Sequence, residues 1–251
     1  MKPELIRPNP PEQKFGSFEG KYGPVIKTNA GSFYSVTTIL RMTRPPETTR
    51  RILNAGHRSV ETYGKEQAKA YSDQDSTRGT EVHGALKQYF EDWKLPLNLE
   101  SQYQEFGEAL QPIIAGVSPQ DLLGVEEYVC HDRHGYASRL DFRALWGGVH
   151  TVFELRTSFR SLPEDWLLDK ILQAIACAIA VEYMYEQKVP RVVLINTFST
   201  PPASPKRIPH GLNCFLVEGE KMDYYRQEWM KRLEQFKRMD INLLPTPAQF
   251  F

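Results

Sequence analysis

The chain contains little of what disulfide-stabilised or membrane-spanning proteins need. Its three cysteines, Cys130, Cys177 and Cys214, are odd in number and far apart, which argues against a disulfide framework and fits a reducing compartment. They are also too few for a four-cysteine iron-sulfur cluster, so we expect no such cluster. No run approaches the roughly 18 apolar residues of a membrane span, and residues 1–15 lack the apolar segment of a secretory signal. We therefore expect a cytoplasmic protein with no membrane partner; a mature mitochondrial matrix protein that has lost its presequence is the alternative.

An excess of charge of one sign is also absent. Lys and Arg number 31 and Asp and Glu number 31, so the net charge is zero, and the chain as a whole is not a general binder of polyanions. Basic residues are concentrated locally instead. Residues 41–70 hold seven Arg or Lys against three Glu, a net of +4. Both a solvated helix and a nucleic-acid-binding surface account for this patch, and we keep both interpretations.

A tight turn is predicted at Gly147-Gly148. Apolar and polar side chains alternate with a period of two over residues 139–144 and 152–156, which is typical of half-buried strands. Gly-Gly supplies positive φ at both central positions of a two-residue hairpin turn. The stretch therefore predicts a β-hairpin in which pairing begins with Trp146 opposite Val149.

Continued outward, this register places two carboxylates opposite each other. Asp141 is expected to face Glu154 with Cβ atoms roughly 5 Å apart, and Arg139 to face Arg156 on the same side of the sheet. If both acids ionise, their repulsion is on the order of 3 kcal/mol at an effective dielectric constant of about 20. Nearby arginines at a solvated strand end could neutralise the pair. A hard divalent cation is the alternative, because Mg²⁺ and Mn²⁺ take carboxylate oxygens as ligands.

The paired acids are part of a pattern that resembles the core of the PD-(D/E)xK nucleases, in the RecB-like branch. There an acid on one strand and an acid-x-Lys on the next bind the metal, as Asp141 and Glu154-Leu155-Arg156 would. The resemblance covers most of residues 34–198 and is greatest to phage exonucleases and the mitochondrial genome maintenance exonuclease, which act on single-stranded DNA ends. Five segments occur in the order seen in that branch: YSVTTIL (34–40), TRGTEVHGALKQYF (77–90), GVEEYV (124–129), ELRTS (154–158) and DKILQAIACAIAVE (169–182).

The resemblance implies an α/β fold, with a restriction-endonuclease-like core in which a central mixed sheet is flanked by helices, and with an N-terminal helical arch. We expect an N-terminal arm over residues 1–33, a single nuclease-like domain over 34–240 with the arch at about 41–78, and a C-terminal tail over 241–251. Apolar periodicity predicts a long buried helix over 164–187 and strands at about 124–130, 136–145, 150–157, 191–198 and 212–218.

The same resemblance implies a site for Mg²⁺ or Mn²⁺. The expected ligands are Asp141, Glu154, the Leu155 carbonyl oxygen and His83, which stands in a Gly-x-x-x-His motif. Glu126 or Glu127 would bind or position a second ion. The alternation of side chains does not say which of these two faces inward, and one-metal and two-metal mechanisms both stay open.

Roles in catalysis and DNA binding follow from the resemblance as well. Gln173 stands at the first position of the family's Gln-x-x-x-Tyr motif, whose glutamine helps to hold the site and the DNA backbone. The implied catalytic residues are Asp141, Glu154, Arg156 and Gln173. The side chains expected to bind DNA are basic and lie mainly in the arch: Arg50, Arg51, Arg58, Lys65, Lys69 and Arg139. The expected partners are single-stranded DNA or DNA ends, bound by a monomer.

Two residues depart from the family pattern. Arg156 stands where the motif has lysine, and Cys177 stands where the helix motif has tyrosine. Arginine can offset charge on a phosphate, but it does not deprotonate at ordinary pH and therefore cannot accept a proton. Lys170 is the nearest helical lysine that could substitute, although nothing in the sequence indicates that it reaches the acids.

Three functions remain as hypotheses. The first, which we predict, is a metal-dependent exonuclease that hydrolyses single-stranded DNA from an end, in DNA repair or replication, in a bacterial or phage-infected cell. The second is a degenerate nuclease that binds DNA ends without efficient cleavage, because of Arg156. The third is a protein that is not a nuclease and in which the hairpin is structural.

Overall fold

A computed structural model describes residues 15–199 and 210–239. The expected C-terminal tail over 241–251 and the first 14 residues of the expected N-terminal arm lie outside the described residues. Within them, no helix is long and apolar enough to cross a membrane.

The described residues form ten strands and six α-helices. The strands are β1 (Gly16–Gly20), β2 (Gly23–Thr28), β3 (Gly31–Tyr34), β4 (Leu122–Val125), β5 (Tyr128–His131), β6 (Tyr136–Arg139), β7 (Phe142–Trp146), β8 (Val149–Ser158), β9 (Arg191–Phe198) and β10 (Gly211–Glu218). The helices are α1 (Val36–Met42), α2 (Pro46–Tyr63), α3 (Lys65–Asp92), α4 (Gln104–Ile114), α5 (Leu168–Tyr185) and α6 (Glu220–Met239).

The central sheet is mixed. Its five strands lie in the order β10-β9-β8-β7-β4; β8 and β9 are parallel, whereas the other neighbouring pairs are antiparallel. Side chains of β8 and β9 are buried on both faces, which explains the continuous apolar run over 192–195. The predicted α/β class, with a central mixed sheet flanked by helices, is confirmed.

The two faces of the sheet are covered by different helices. Val152 of β8 packs in one cluster with residues of α1, α5 and α6. Phe153, its neighbour along the strand, packs in a second cluster with residues of α3 and α4. This alternation follows from the period of two in a strand. The predicted buried helix corresponds to α5, which begins at Leu168 after a short 3-10 turn over Glu164–Trp166.

The hairpin has the predicted register. Pairing runs from Trp146 opposite Val149 to Phe142 opposite Phe153, and the φ angles of Gly147 and Gly148 are +61° and +79°. Both glycines therefore occupy the left-handed region that the predicted turn requires. The ladder stops one residue before Asp141.

The predicted strand over 136–145 is two strands, β6 and β7. Between them the Leu140 N–H donates to the Glu127 carbonyl oxygen, at 2.9 Å, so the chain leaves the central sheet and β6 pairs with β5. Arg139 consequently lies opposite Tyr128. The prediction that Arg139 faces Arg156 is wrong, because backbone pairing with residues 126–131 takes the place of pairing with β8.

The expected N-terminal arm includes a small sheet that packs against the core. Residues 16–34 form a three-stranded antiparallel sheet, β1-β2-β3, in which Val25 and Tyr34 are buried in the same cluster as α5.

The predicted arch corresponds to α2 and the start of α3. Helix α2 buries none of its side chains, and Gly64, with φ +80°, separates it from α3. The role of this helix pair as an arch stays a prediction.

The turn glycines provide a test of the hairpin. We expect Gly147→Val to lower the free energy of unfolding by about 1–2 kcal/mol, because a β-branched residue is strained at positive φ. Gly147→Asn is the matched control, since asparagine tolerates positive φ, and its free energy of unfolding should fall much less. Urea unfolding measures both; equal stability of the Val and Asn variants would contradict the assigned turn.

Candidate metal centre and substrate groove

Four segments bring acids and a histidine to one place. Asp141 precedes β7, Glu154 lies in β8, Glu126 lies between β4 and β5, and His83 lies in α3. The His83 Nδ1 atom is 3.1 Å from Asp141 Oδ1 and 3.5 Å from Glu126 Oε1. One ligand atom from each of these three residues lies within 4.8 Å of the others. Such a group of nitrogen and oxygen donors could hold a divalent cation.

The backbone decides which of the two adjacent glutamates faces inward. Glu126 has φ +48°, an uncommon conformation for a residue with a side chain, and its N–H donates to the Asp141 carbonyl oxygen at 2.7 Å. Its carboxylate points toward His83. Glu127 is instead paired with Arg143, at 2.8 Å, and accepts a hydrogen bond from the Tyr185 hydroxyl. Glu126 is therefore the inward acid.

Glu154 is the most buried acid of the group, with 1% of its side chain exposed. Its Oε2 atom has no hydrogen-bond partner among the described residues. Burial, and next the negative charge of Asp141, raise the pKa of Glu154 to about 7. A buried carboxylate oxygen without a partner is costly, and a bound cation would satisfy it. The residues present therefore fit the expected metal.

Asp141 is held in place by the neighbouring strand. Its Oδ2 accepts a hydrogen bond from the Leu155 N–H at 2.6 Å. Burial alone would raise the pKa of Asp141, but the charge and hydrogen bond of His83, the charge of Lys170 and the Leu155 N–H together lower it. Burial opposes protonation of His83, yet Asp141 and Glu126 raise the pKa of His83 to about 10. The expected role of the Leu155 carbonyl oxygen as a ligand stays a prediction.

Lys170 reaches the acids. Its Nζ atom lies 2.7 Å from Glu154 Oε1 and 3.1 Å from Gln173 Oε1, so α5 presents two polar residues, Lys170 and Gln173, to the site. Burial would lower the pKa of Lys170, but the charges of Glu154 and Asp141 outweigh it and the pKa is raised. This contact depends on how α5 crosses the sheet, which the sequence does not indicate.

Arg156 lies two residues beyond Glu154 along β8 and does not line the groove formed by the described residues. Its Nε atom is buried without a hydrogen-bond partner among them. Burial lowers the pKa of Arg156, and the negative charge of Asp75 partly opposes this. Cys177, the other departure from the motif, is fully buried, and burial raises the pKa of its thiol.

The acids lie in a groove of about 840 Å³. One wall is the face of α3 with Gly79, Thr80, His83, Gly84 and Lys87, and the floor contains Asp141, Glu154, Lys170 and Gln173. The opposite wall contains Ser17, Pro24, Ile26, Ser35, Thr37, Glu126, Tyr128, Ser138 and Arg139. Of this second wall, the sequence predicted only Glu126 and Arg139. The other residues belong to segments that no single sequence pattern links: β1, β2, the start of α1, β5 and β6.

The predicted DNA-binding residues of the arch fall into two groups, and Arg139 lies apart from them at the groove. Arg51 and Lys69 are engaged in ion pairs of 2.6 Å with Asp165 and Asp73, and Arg51 also lies over the Trp166 ring. The second group is exposed and forms no ion pair within the described part of the chain: Arg50, Arg58 and Lys65. Arg139 has 55% of its side chain exposed at the groove, with Nε 2.9 Å from Glu126 Oε2.

Comparison with known proteins gives distant structural similarity alone. No protein-family model matches the chain, and no curated protein matches it. Among solved structures, a phage related exonuclease from Haemophilus somnus 129PT is similar with a TM-score of 0.36 and 10% sequence identity, over 84% of this chain and 96% of that chain. The fold assignment here therefore depends on the sheet order and helix packing, and the functional proposal on the site itself.

Metal binding is testable by thermal unfolding. We expect millimolar Mn²⁺ to raise the melting temperature, because an ion at about 100 times its Kd stabilises by about 2.7 kcal/mol, roughly 5–10 °C for a protein of this size. Asp141→Asn should remove this shift.

Glu127→Gln is the matched control, since Glu127 lies beside Glu126 but faces Arg143. That variant should keep the Mn²⁺ shift even though its basal melting temperature falls. The proposed ligand set is wrong if Asp141→Asn and the wild type respond equally to the ion.

Proposed function

We propose that this protein is a metal-dependent nuclease that hydrolyses phosphodiester bonds of single-stranded DNA from an end. The observation that carries the proposal is the buried Oε2 atom of Glu154, without a partner among the described residues, in a groove that Asp141, His83 and Glu126 also line. Three basic side chains, Lys87, Lys170 and Arg139, border the same groove and favour an anionic substrate.

The chain's own residues divide the chemical work. A divalent cation held by Asp141, Glu154, His83 and Glu126 would supply a Lewis acid that activates water and polarises the phosphodiester. The Leu155 N–H fixes Asp141. Gln173 accepts from Lys170 and so holds its ammonium group against Glu154.

Lys170 takes the place of the lysine missing at position 156. Its raised pKa keeps it protonated at neutral pH, so it donates hydrogen bonds and stabilises negative charge on the phosphate during attack. It does not act as the proton acceptor. Arg156 does not line the groove, and Asp75 forms its ion pair with Arg78.

Substitution of Lys170 tests this assignment. We expect Lys170→Met to lower kcat by about 100- to 1,000-fold, the usual loss when one donor to a developing oxyanion is removed, whereas DNA binding persists. Lys237→Met, at a half-buried lysine of α6 paired with Glu234 and away from the groove, is the control and should leave cleavage unchanged. Single-turnover cleavage rates with Mn²⁺ provide the measurement, and equal rates for both variants would remove Lys170 from the mechanism.

A degenerate nuclease is the second candidate, favoured by Arg156 at the position of the motif lysine. Arg156→Lys separates the two candidates. An active nuclease that uses Lys170 should be little affected by this change. If the wild type does not cleave DNA with Mg²⁺ or Mn²⁺ and Arg156→Lys does, the degenerate interpretation is correct.

The requirement for an end can be tested with one set of substrates. Linear single-stranded DNA, labelled at an end or internally, should be degraded in Mn²⁺ and left intact in EDTA, whereas circular single-stranded DNA of the same sequence should resist. Asp141→Asn should cleave neither. Cleavage of the circle at the rate of the linear strand would exclude an exonuclease while leaving a metal-dependent nuclease in place.

A further inference from the structure

We propose that Tyr128 is a stacking platform for a nucleobase beside the cleavage site, so that the groove selects strands whose bases are unpaired there. The inference rests on the proposed function and specifies how its substrate is recognised. It depends on three observations: the support behind the Tyr128 ring, its place in the groove, and the cation directly across the strand pair.

The Tyr128 ring is supported on one face. The Phe15 ring is stacked on it with centroids 5.2 Å apart and an angle of 16° between the planes. Both rings belong to a small apolar cluster that includes Ile26 and Cys130. A ring fixed in this way loses little conformational freedom when a ligand binds. Because Phe15 covers one face and Tyr128 also lines the groove, the remaining aromatic surface is offered to the substrate.

A phosphate-binding cation lies next to this ring. Tyr128 and Arg139 are direct cross-strand partners in the β5–β6 pair, so their side chains are on the same face with Cβ atoms roughly 5 Å apart. Arg139 is 55% exposed and is held by Glu126, whose other oxygen approaches His83. The order from platform to metal ligands is therefore Tyr128, Arg139, Glu126 and His83. Base and phosphate of one nucleotide fit neighbouring aromatic and cationic groups.

The chemistry of the groove favours a nucleotide strand over a peptide. Apart from Pro24, Ile26 and the Tyr128 ring, the side chains that line it are charged, hydroxyl-bearing or amide groups, together with two glycines. Hydroxyls and cations bind a phosphodiester backbone, and one aromatic ring binds any base, since every base has a π-face. A base inside a duplex is covered by its neighbours and cannot stack on Tyr128. The platform thus discriminates against bases that are stacked on both faces within a duplex.

The experiment combines abasic substitution with mutation of Tyr128. Single-stranded oligonucleotides carry one abasic residue at successive positions from each end, and binding is measured by fluorescence anisotropy in EDTA, so that cleavage does not interfere. In the wild type, one abasic position should weaken binding about 5- to 150-fold, the range found for one base–aromatic stack. In Tyr128→Leu an abasic residue at that position should cause no further loss of affinity. Tyr128→Phe should show the same abasic profile as the wild type.

Phe33→Leu is the matched control. Phe33 contacts the same small cluster as Tyr128 but does not line the groove, so its loss tests whether any loosening of this region weakens binding. We expect the abasic profile of Phe33→Leu to match the wild type, and the Mn²⁺ thermal shift of Tyr128→Leu to persist. The platform is excluded if Tyr128→Leu retains the wild-type abasic profile, or if Phe33→Leu loses it equally.

Failure of the platform and failure of the proposed function give different results. Cleavage of DNA ends with an abasic profile that does not depend on Tyr128 overturns only the platform. A profile that depends on Tyr128, in a protein that cleaves no DNA, supports the platform and overturns the nuclease. No binding of single-stranded DNA at all overturns both.

Discussion

The site depends on two carboxylates, Asp141 and Glu154, that are held close together with little access to water. The pKa values of the two acids move in opposite directions: burial and the charge of Asp141 raise the pKa of Glu154 to about 7, whereas His83 lowers that of Asp141. Low exposure leaves their repulsion poorly screened. The Leu155 N–H, Lys170 and His83 each offset part of it, yet one oxygen of Glu154 still has no partner among the described residues. The protein thus keeps an arrangement that a cation would stabilise.

Asp141 also determines the shape of the groove. The Asp141 side chain accepts a hydrogen bond from the Leu155 N–H. The β7–β8 ladder therefore ends at Phe142, and the residues before Asp141 pair with other strands. The Asp141 carbonyl oxygen accepts the Glu126 N–H, which starts the separate β5–β6 pair. That pair carries Tyr128 and Arg139 to the wall opposite α3. In the proposed nuclease, the metal ligands and the substrate wall are therefore positioned together by the backbone and side chain of Asp141.

Local rules account for what the sequence predicted correctly. The Gly147-Gly148 turn determines the hairpin register over its whole ladder, and the apolar run of α5 identifies a buried helix. Alternation failed where the chain leaves the sheet: it could not distinguish Glu126 from Glu127, because a positive φ at Glu126 breaks the period of two. It also placed Arg139 opposite Arg156, since pairing with β5 depends on contacts that a single strand's pattern does not encode.

In the proposed nuclease, the position of Lys170 compensates for the arginine at position 156 in β8. An ammonium group has three N–H donors, and the structure uses one for Glu154 and one for Gln173, which leaves one for a substrate oxygen. A guanidinium at the same point would be planar and longer, and its donors would not converge in this way. Since α5 is buried along most of its length, its backbone holds Lys170 rigidly, as a strand would. In the proposed nuclease, a lysine on this helix is therefore directed toward Glu154, and no cation at position 156 is needed in the groove.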